Sequence, residues 1–369
     1  MNEIQQYLAE EIALDCGQGH ISRSEALRRL RIMGLSAAVA LSLLAACGGE
    51  GDTEAPARAT AESPASDTPA SVAPGNGAAA TPGDAPAAVP PSGAGSSASA
   101  EGNPTPTAVM PGAGAPAAAP ASPSADPAAA APDDIASITG PGMGLPTEAI
   151  TFTGPNGPLQ GAFAAAAQPR GAVLVIHENR GLNDHIRTVV GRFAAAGFTA
   201  IGLDLLSEEG GTESLGEAAN ATAALGQVAP ERFVADMRAC LEELERRAPG
   251  AKIGAVGFCF GGGMMWRLIA SGDPRLAAAA PFYGPLPAGA DFTSSNAAVL
   301  AFYGELDARV NASRDMAEAA LTAAGLPHEL VTEPGANHAF FNDTGMNYNA
   351  AGATDAWRRV LAWFGEHLS

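Results

Sequence analysis

The chain has 369 residues, 47% of them hydrophobic, with six histidines, four cysteines and a formal net charge of −19. An acid excess on this scale argues against nucleic acid and anionic membrane surfaces as partners. The histidines and cysteines are too scattered to form a metal-ligand cluster, so no metal is implied.

In chain order, residues 1–47 read as a targeting segment rather than fold. Arg23, Arg28, Arg29 and Arg31 form a basic region ahead of the apolar run 32–46, which is short for a membrane span. The run ends in "LAAC", with Cys47 followed by two glycines. This resembles a bacterial lipoprotein signal, which implies cleavage before Cys47, lipidation of its thiol, and an exported, membrane-anchored protein facing the periplasm or cell exterior. The preceding "ISRSEAL" resembles a twin-arginine export motif with Ser24 in place of the second arginine, which leaves the folded and unfolded export routes both open.

Residues 48–145 are almost entirely Ala, Pro, Gly, Ser and Thr. Such a segment buries too little apolar surface to offset the entropy of ordering it and is expected to be a disordered linker. A soft chain of that length spans roughly 50–60 Å on average.

Residues 146–369 alternate strand-like and helix-like segments. "EAITFTG" and "LQGAFAAA" around the turn "PNGP" predict a hairpin. "GAVLVIH" (171–177) predicts a strand buried on both faces, 183–197 a helix stopped by Gly197, and 198–206 the next strand. A polar insertion (207–229) precedes a helix over 230–247 with proline in its first turn. "KIGAVGF" then runs into the glycine cluster and a helix. Strands over 276–284, 298–305 and 328–335 follow, with helices over 312–325 and 355–368. The order predicts a mostly parallel, doubly wound sheet with helices on both faces and ligands bound at the carboxyl ends of the strands.

Within that frame "GFCFGGG" is a nucleophile elbow: Gly257 and Gly261 flank Cys259 at the two positions where the turn admits no side chain. The helix N-terminus beyond it favours a thiolate. An elbow nucleophile needs an acid and then a histidine later in the chain, each on a loop after a strand. Asp307 and His338 stand there, with Glu305 as the competing acid. His177 and His185 precede the nucleophile, while His328 and His367 fall within a strand and a helix. The N–H groups of Phe260 and Asn179 are the candidate oxyanion donors.

The motifs "HENRG", "GFCFGGG", "PFYG", "GELD" and "GANHAF", in this order, resemble those of the dienelactone hydrolase family. The resemblance implies an α/β-hydrolase fold, a Cys-His-Asp triad needing no cofactor, and a small-molecule ester or lactone substrate. It also implies that Glu178 helps to deprotonate the thiol. The family holds a substrate carboxylate with two arginines, but the matching places here are Leu206–Ser207 and the stretch around Asn342. Arg180 is the candidate to replace one of them, with a structural role as the alternative. The reaction expected is cleavage of a carboxylic ester or lactone through a thioester on Cys259, by a protein expected to be a monomer. A thioesterase or acyltransferase with the same triad, or a non-catalytic envelope lipoprotein, are the rivals. Met264, Met265, Trp266, Trp357, Trp363 and Cys240 read as packing residues.

Overall fold

A computed structural model describes residues 1–46 and 144–369, and all of these belong to one compact unit. Cys47 and residues 48–143, and with them nearly the whole expected linker, lie outside the described residues. Eight strands form one sheet: β1 (Glu148–Thr153), β2 (Pro158–Ala164), β3 (Gly171–Ile176), β4 (Phe198–Asp204), β5 (Ile253–Phe258), β6 (Leu276–Phe282), β7 (Ala298–Gly304) and β8 (His328–Glu333). Their spatial order is β1-β2-β4-β3-β5-β6-β7-β8. The β1–β2 hairpin is antiparallel, as is β2 against β4, and every other pairing is parallel.

The central strands β3, β4, β5 and β7 are buried at every position, which is why they read as unbroken apolar runs. One face is covered by α4 (Asp184–Ala195) and α10 (Ala350–His367), joined through Phe193, whose ring lies 4.8 Å from Trp357 and 6.0 Å from Phe364. The other face carries α6 (Pro230–Arg247) and α7 (Phe260–Ala270), which meet where Phe233 packs edge-on against Phe260 at 5.4 Å. Helices α8 (Ala308–Asn311) and α9 (Arg314–Ala324) complete the β7–β8 crossover. Just ahead of β1, Leu145 N–H bonds Gly191 O at 3.0 Å. Helix α10 begins five residues before its expected start, capped by the Asn349 side chain on Gly352 N–H.

The larger departure is at the N-terminus. The segment expected to carry an address and no fold contains three helices, α1 (Glu3–Gly17), α2 (Arg23–Ile32) and α3 (Ala37–Leu43). Each has a side-chain cap on a free N–H, from Asn2, Ser22 and Ser36. Ile4, Leu8 and Ile12 recur every fourth residue, fall on one face of α1 and are buried. Helices α1 and α2 rest on α5 (Ala218–Leu225), which lies inside the expected polar insertion. Its buried residues Ala219, Ala221, Thr222, Ala223 and Leu225 carry too little contrast to announce a buried face in the sequence. Asn2 Nδ2 donates to Gly226 O at 3.0 Å and Gln227 Nε2 to Met33 O at 3.1 Å. Among the described residues, no helix is long and apolar enough to cross a membrane.

Candidate active site

The β5–α7 turn shows in atoms why its glycines are required. A Cβ at Gly257 would stand 2.2 Å from Gly261 O, and one at Gly261 would stand 2.5 Å from His177 O and 2.6 Å from Ile176 O. All are backbone atoms that cannot move aside. Between them Cys259 adopts φ 55°, ψ −116° at the N-cap of α7. Few L-residues occupy that region without strain. The turn presents Sγ at the helix N-terminus, and Cys259 is 3% exposed.

Two further loops meet it there. Asp307 follows β7 and caps α8, its Oδ1 accepting from Val310 N–H at 3.2 Å, while its Oδ2 takes His338 Nδ1 at 2.6 Å. His338 follows β8, next to Ala339, whose φ is +60°. One donor atom each of Cys259, His338 and Glu11 lies within 4.8 Å of the other two. Burial works against the charged form of His338, but a negative charge on Cys259 and the Asp307 hydrogen bond outweigh it, so the imidazole is pushed up to about 10. The arrangement therefore keeps the His338 imidazole protonated at neutral pH. Glu305, the competing acid, points elsewhere and accepts from Gly335 N–H at 2.6 Å.

Glu178 is buried between Tyr283, whose hydroxyl lies 3.4 Å from Oε1, and Asn342, whose Nδ2 lies 2.7 Å from Oε2. It lines one cavity of about 250 Å³ with Cys259, His338, Asn179 and Arg180. Asn342 is held at both ends, Nδ2 donating to Glu178 and Oδ1 accepting from Thr344 N–H and Oγ1. Leu206 is buried, and Ser207 Oγ is spent on Asp204 O. Arg180 is exposed at the cavity and makes no ion pair among the described residues.

The loop after β3 is held from below. His177 Nδ1 donates to Glu178 O at 2.6 Å, and its Nε2 accepts from Leu205 N–H at 3.2 Å. These bonds define one tautomer, and burial lowers the pKa further, so His177 is a neutral strut. The bond from His177 to Glu178 O holds the peptide that carries the Asn179 N–H, and Thr222 Oγ1 donates to Asn179 O in the next peptide at 2.9 Å. Phe260 is the first residue of α7, so its N–H has no partner within the helix. His185 pairs with Asp343, His328 with Leu326 O, and His367 packs on Trp363, all away from Cys259. Met264, Met265 and Trp266 are buried in α7 packing, as is the free thiol of Cys240 in α6.

Sequence reasoning missed Tyr7 and Glu11. Tyr7 Oη lies 3.4 Å from Cys259 Sγ, and a Glu11 oxygen lies 3.5 Å from His338 Nε2. Arg309 contacts the same Glu11 oxygen and stacks over the Tyr7 ring at 4.6 Å. Glu11, Cys259 and His338 are a donor set that could ligate a soft divalent cation. Here the Arg309 guanidinium already sets a positive charge against Glu11. Tyr283, the third missed residue, lies within the quoted motif "PFYG", and its ring packs edge-on to His338 at 5.2 Å.

A mostly parallel sheet in this strand order, with a strained cysteine elbow at the carboxyl end of β5, defines an α/β-hydrolase. The dienelactone hydrolase family model matches residues 159–368. The chain is 32% identical over 212 residues to an Escherichia coli O157:H7 protein, covering 54% of this chain and 78% of the relative. It is 30% identical over 246 residues to a Synechocystis protein, covering 61% of this chain and 98% of that one. Both relatives bear the name "Putative carboxymethylenebutenolidase". The solved "Putative Dienelactone Hydrolase" of Klebsiella pneumoniae superposes with TM-score 0.54 at 27% identity, over 60% of this chain and 98% of that one. The chain belongs to the dienelactone hydrolase family and is a carboxylic ester hydrolase of that type.

Proposed function

We propose that the protein cleaves a carboxylic ester or lactone with Cys259, His338 and Asp307 as its triad. The observation that carries this is the 2.6 Å bond from His338 Nδ1 to Asp307, with the other edge of the ring turned to a cysteine on a strained elbow. The Cys259 thiolate attacks the carbonyl carbon, and the oxyanion is received by the N–H groups of Phe260 and Asn179. His338 gives its proton to the leaving alcohol, which leaves a thioester on Cys259. It then takes a proton from water, whose oxygen attacks the thioester and releases the acid. Asp307 holds the imidazole in the tautomer that presents Nε2 to sulfur. Glu178, buried beside the nucleophile, is the group proposed to draw the thiol proton when substrate arrives and to return it to the sulfur when the acid leaves. Arg180, which makes no ion pair among the described residues, would meet an anionic group on the substrate.

The test is pre-steady-state hydrolysis of an activated ester. Wild type is expected to give a burst equal to the enzyme present, and Cys259→Ala none. No burst and no turnover across a broad ester and lactone panel would refute the assignment. On sequence alone, we further propose that the chain is exported and lipid-anchored at Cys47. Palmitate labelling that survives Cys47→Ala would contradict the anchor.

A further inference from the structure

Helix α1 lies across the catalytic groups. Tyr7 and Glu11, one turn apart and so on one face of the helix, reach Cys259 and His338 respectively. On one side of that contact is the cavity of about 250 Å³ that holds Cys259, His338 and Glu178, walled by Glu11, Leu14 and Gln18. On the other side is a second cavity of about 260 Å³, floored by Phe260, Met264, Pro285 and Leu286 and walled by Ile4 and Tyr7. The floor of the second cavity is apolar and holds no triad residue, although Phe260 is next to the nucleophile; its polar rim is Glu3, Gln6 and Glu10 of α1 with Arg267 and Arg309 of the body.

We propose that α1 is a built-in occupant of the active-site cleft, and that Tyr7 and Glu11 are specificity-determining positions that divide it. With α1 seated, only a compact ester fits, in the Glu178 and Arg180 half. With α1 displaced, the two cavities join across Cys259 and the apolar half receives an extended acyl chain. The seated contacts engage the reacting atoms themselves. Burial and the Cys259 charge push the Tyr7 phenol up, so it stays protonated beside Sγ. Glu11 stands at the His338 edge from which a leaving group must collect its proton. Cleavage before Cys47, if it occurs, would remove α1 with the leader and convert one specificity into the other. The substrate half of the inference rests on the ester-hydrolase reading; the cap itself does not.

The experiment uses the full chain carrying Leu8→Asp and Ile12→Asp, which charge the buried face of α1, and separately the milder pair Tyr7→Ala and Glu11→Ala. Iodoacetamide labelling of Cys259, read on its own peptide by mass spectrometry, measures access whether or not the protein hydrolyses esters. Labelling is expected to rise at least about tenfold in the first variant, the factor for releasing a site that is mostly closed. The ratio of kcat/KM for p-nitrophenyl octanoate over acetate is expected to rise by a similar factor. Cooperative melting of the variant shows that the hydrolase body remains folded, and deuterium exchange over residues 3–17 shows that α1 has left it. Unchanged labelling with α1 exchanging freely would overturn the proposal, as would rapid exchange of residues 3–17 in the wild type. Faster labelling without ester turnover in either protein would sustain the cap and refute the ester-hydrolase reading.

Discussion

Cys259 is gripped by two structures of opposite kind. Beneath it, the elbow is held by backbone sterics: Gly257 and Gly261 sit where no Cβ fits, and the turn cannot relax without moving β3 and β5. Above it, α1 is held by buried apolar side chains such as Ile4, Leu8, Ala9 and Ile12, a few side-chain hydrogen bonds and a seam of ion pairs. Several of these reach solvent, such as Arg267–Glu3 with Glu3 half exposed. The first kind of restraint is all-or-none and cannot be tuned. The second is a sum of modest contacts that can be weakened one at a time, which suits an element that comes and goes.

The largest effect expected from breaking this contrast is at the elbow. Gly261→Ala places a methyl against two carbonyl oxygens and should destabilise the protein by roughly 3 kcal/mol or more, read from urea denaturation. Next is Asp307→Asn, which keeps the shape and loses the charge; kcat/KM should fall about 10³–10⁴-fold. The pH profile adds a sign. The folded value of His338, about 10, lies above that of a free imidazole. Its contribution to stability is therefore complete below about pH 6.5 and is lost as pH rises through about 10. Turnover that needs the imidazolium proton should fall over the same alkaline limb. Asp307→Asn should move that limb toward neutrality, and a limb that stays in place would deny Asp307 its part in holding the proton.

A smaller effect lies in the hydrolase body, outside both regions. Asp236 on α6 is buried with neither oxygen hydrogen-bonded, and burial raises its pKa to about 7 against the pull of Arg232 at 3.6 Å. Here the shift is upward for an acid, so the folded state keeps its proton better between about pH 4 and 7. The cost of the charge is felt fully above 7 and is relieved as pH falls. Asp236→Asn should stabilise the protein by about 1–2 kcal/mol at pH 8 and by much less at pH 5, as thermal melts at the two pH values would reveal.

How far each region can be read without coordinates follows from the range of its constraints. The elbow lies within five residues, with Gly257 demanded by Gly261 in the same turn and Gly261 by the end of β3, so "GFCFGGG" announces itself. Asp307 and His338 are legible as polar residues just past apolar strands, but choosing Asp307 over Glu305 is not. Two residues apart, they differ only in that one faces His338 and the other Gly335 N–H. Helix α10 starts early because Gly352 packs against Glu333, a contact the small residues before Trp357 do not signal. Helix α1 was hidden for a stronger reason. Ile4, Leu8 and Ile12 are spaced for a helix, but they sit among acids and ahead of a basic-then-apolar stretch whose grammar is that of export. Their partners, α5 and the Cys259 elbow, lie some two hundred residues away, and only tertiary packing brings them together.

The smallest effect tests the seam that holds α1. Arg267–Glu3 at 2.6 Å and Arg28–Glu217 at 3.0 Å are partly exposed, whereas Arg309–Glu11 lies against the catalytic pair with Glu11 buried. Exposed pairs are screened as the Debye length shrinks from about 10 Å at 0.1 M salt to about 3 Å at 1 M, and buried ones much less. Arg267→Ala should therefore cost no more than about 1 kcal/mol and should lose its effect in high salt. Labelling of Cys259 in the wild type should rise by no more than about twofold across that salt range, because the contact nearest the thiol is the one salt reaches least. A rise as large as that in the Leu8→Asp, Ile12→Asp variant would mean that charge at the rim, rather than the apolar face and the buried Arg309–Glu11 contact, keeps α1 in place.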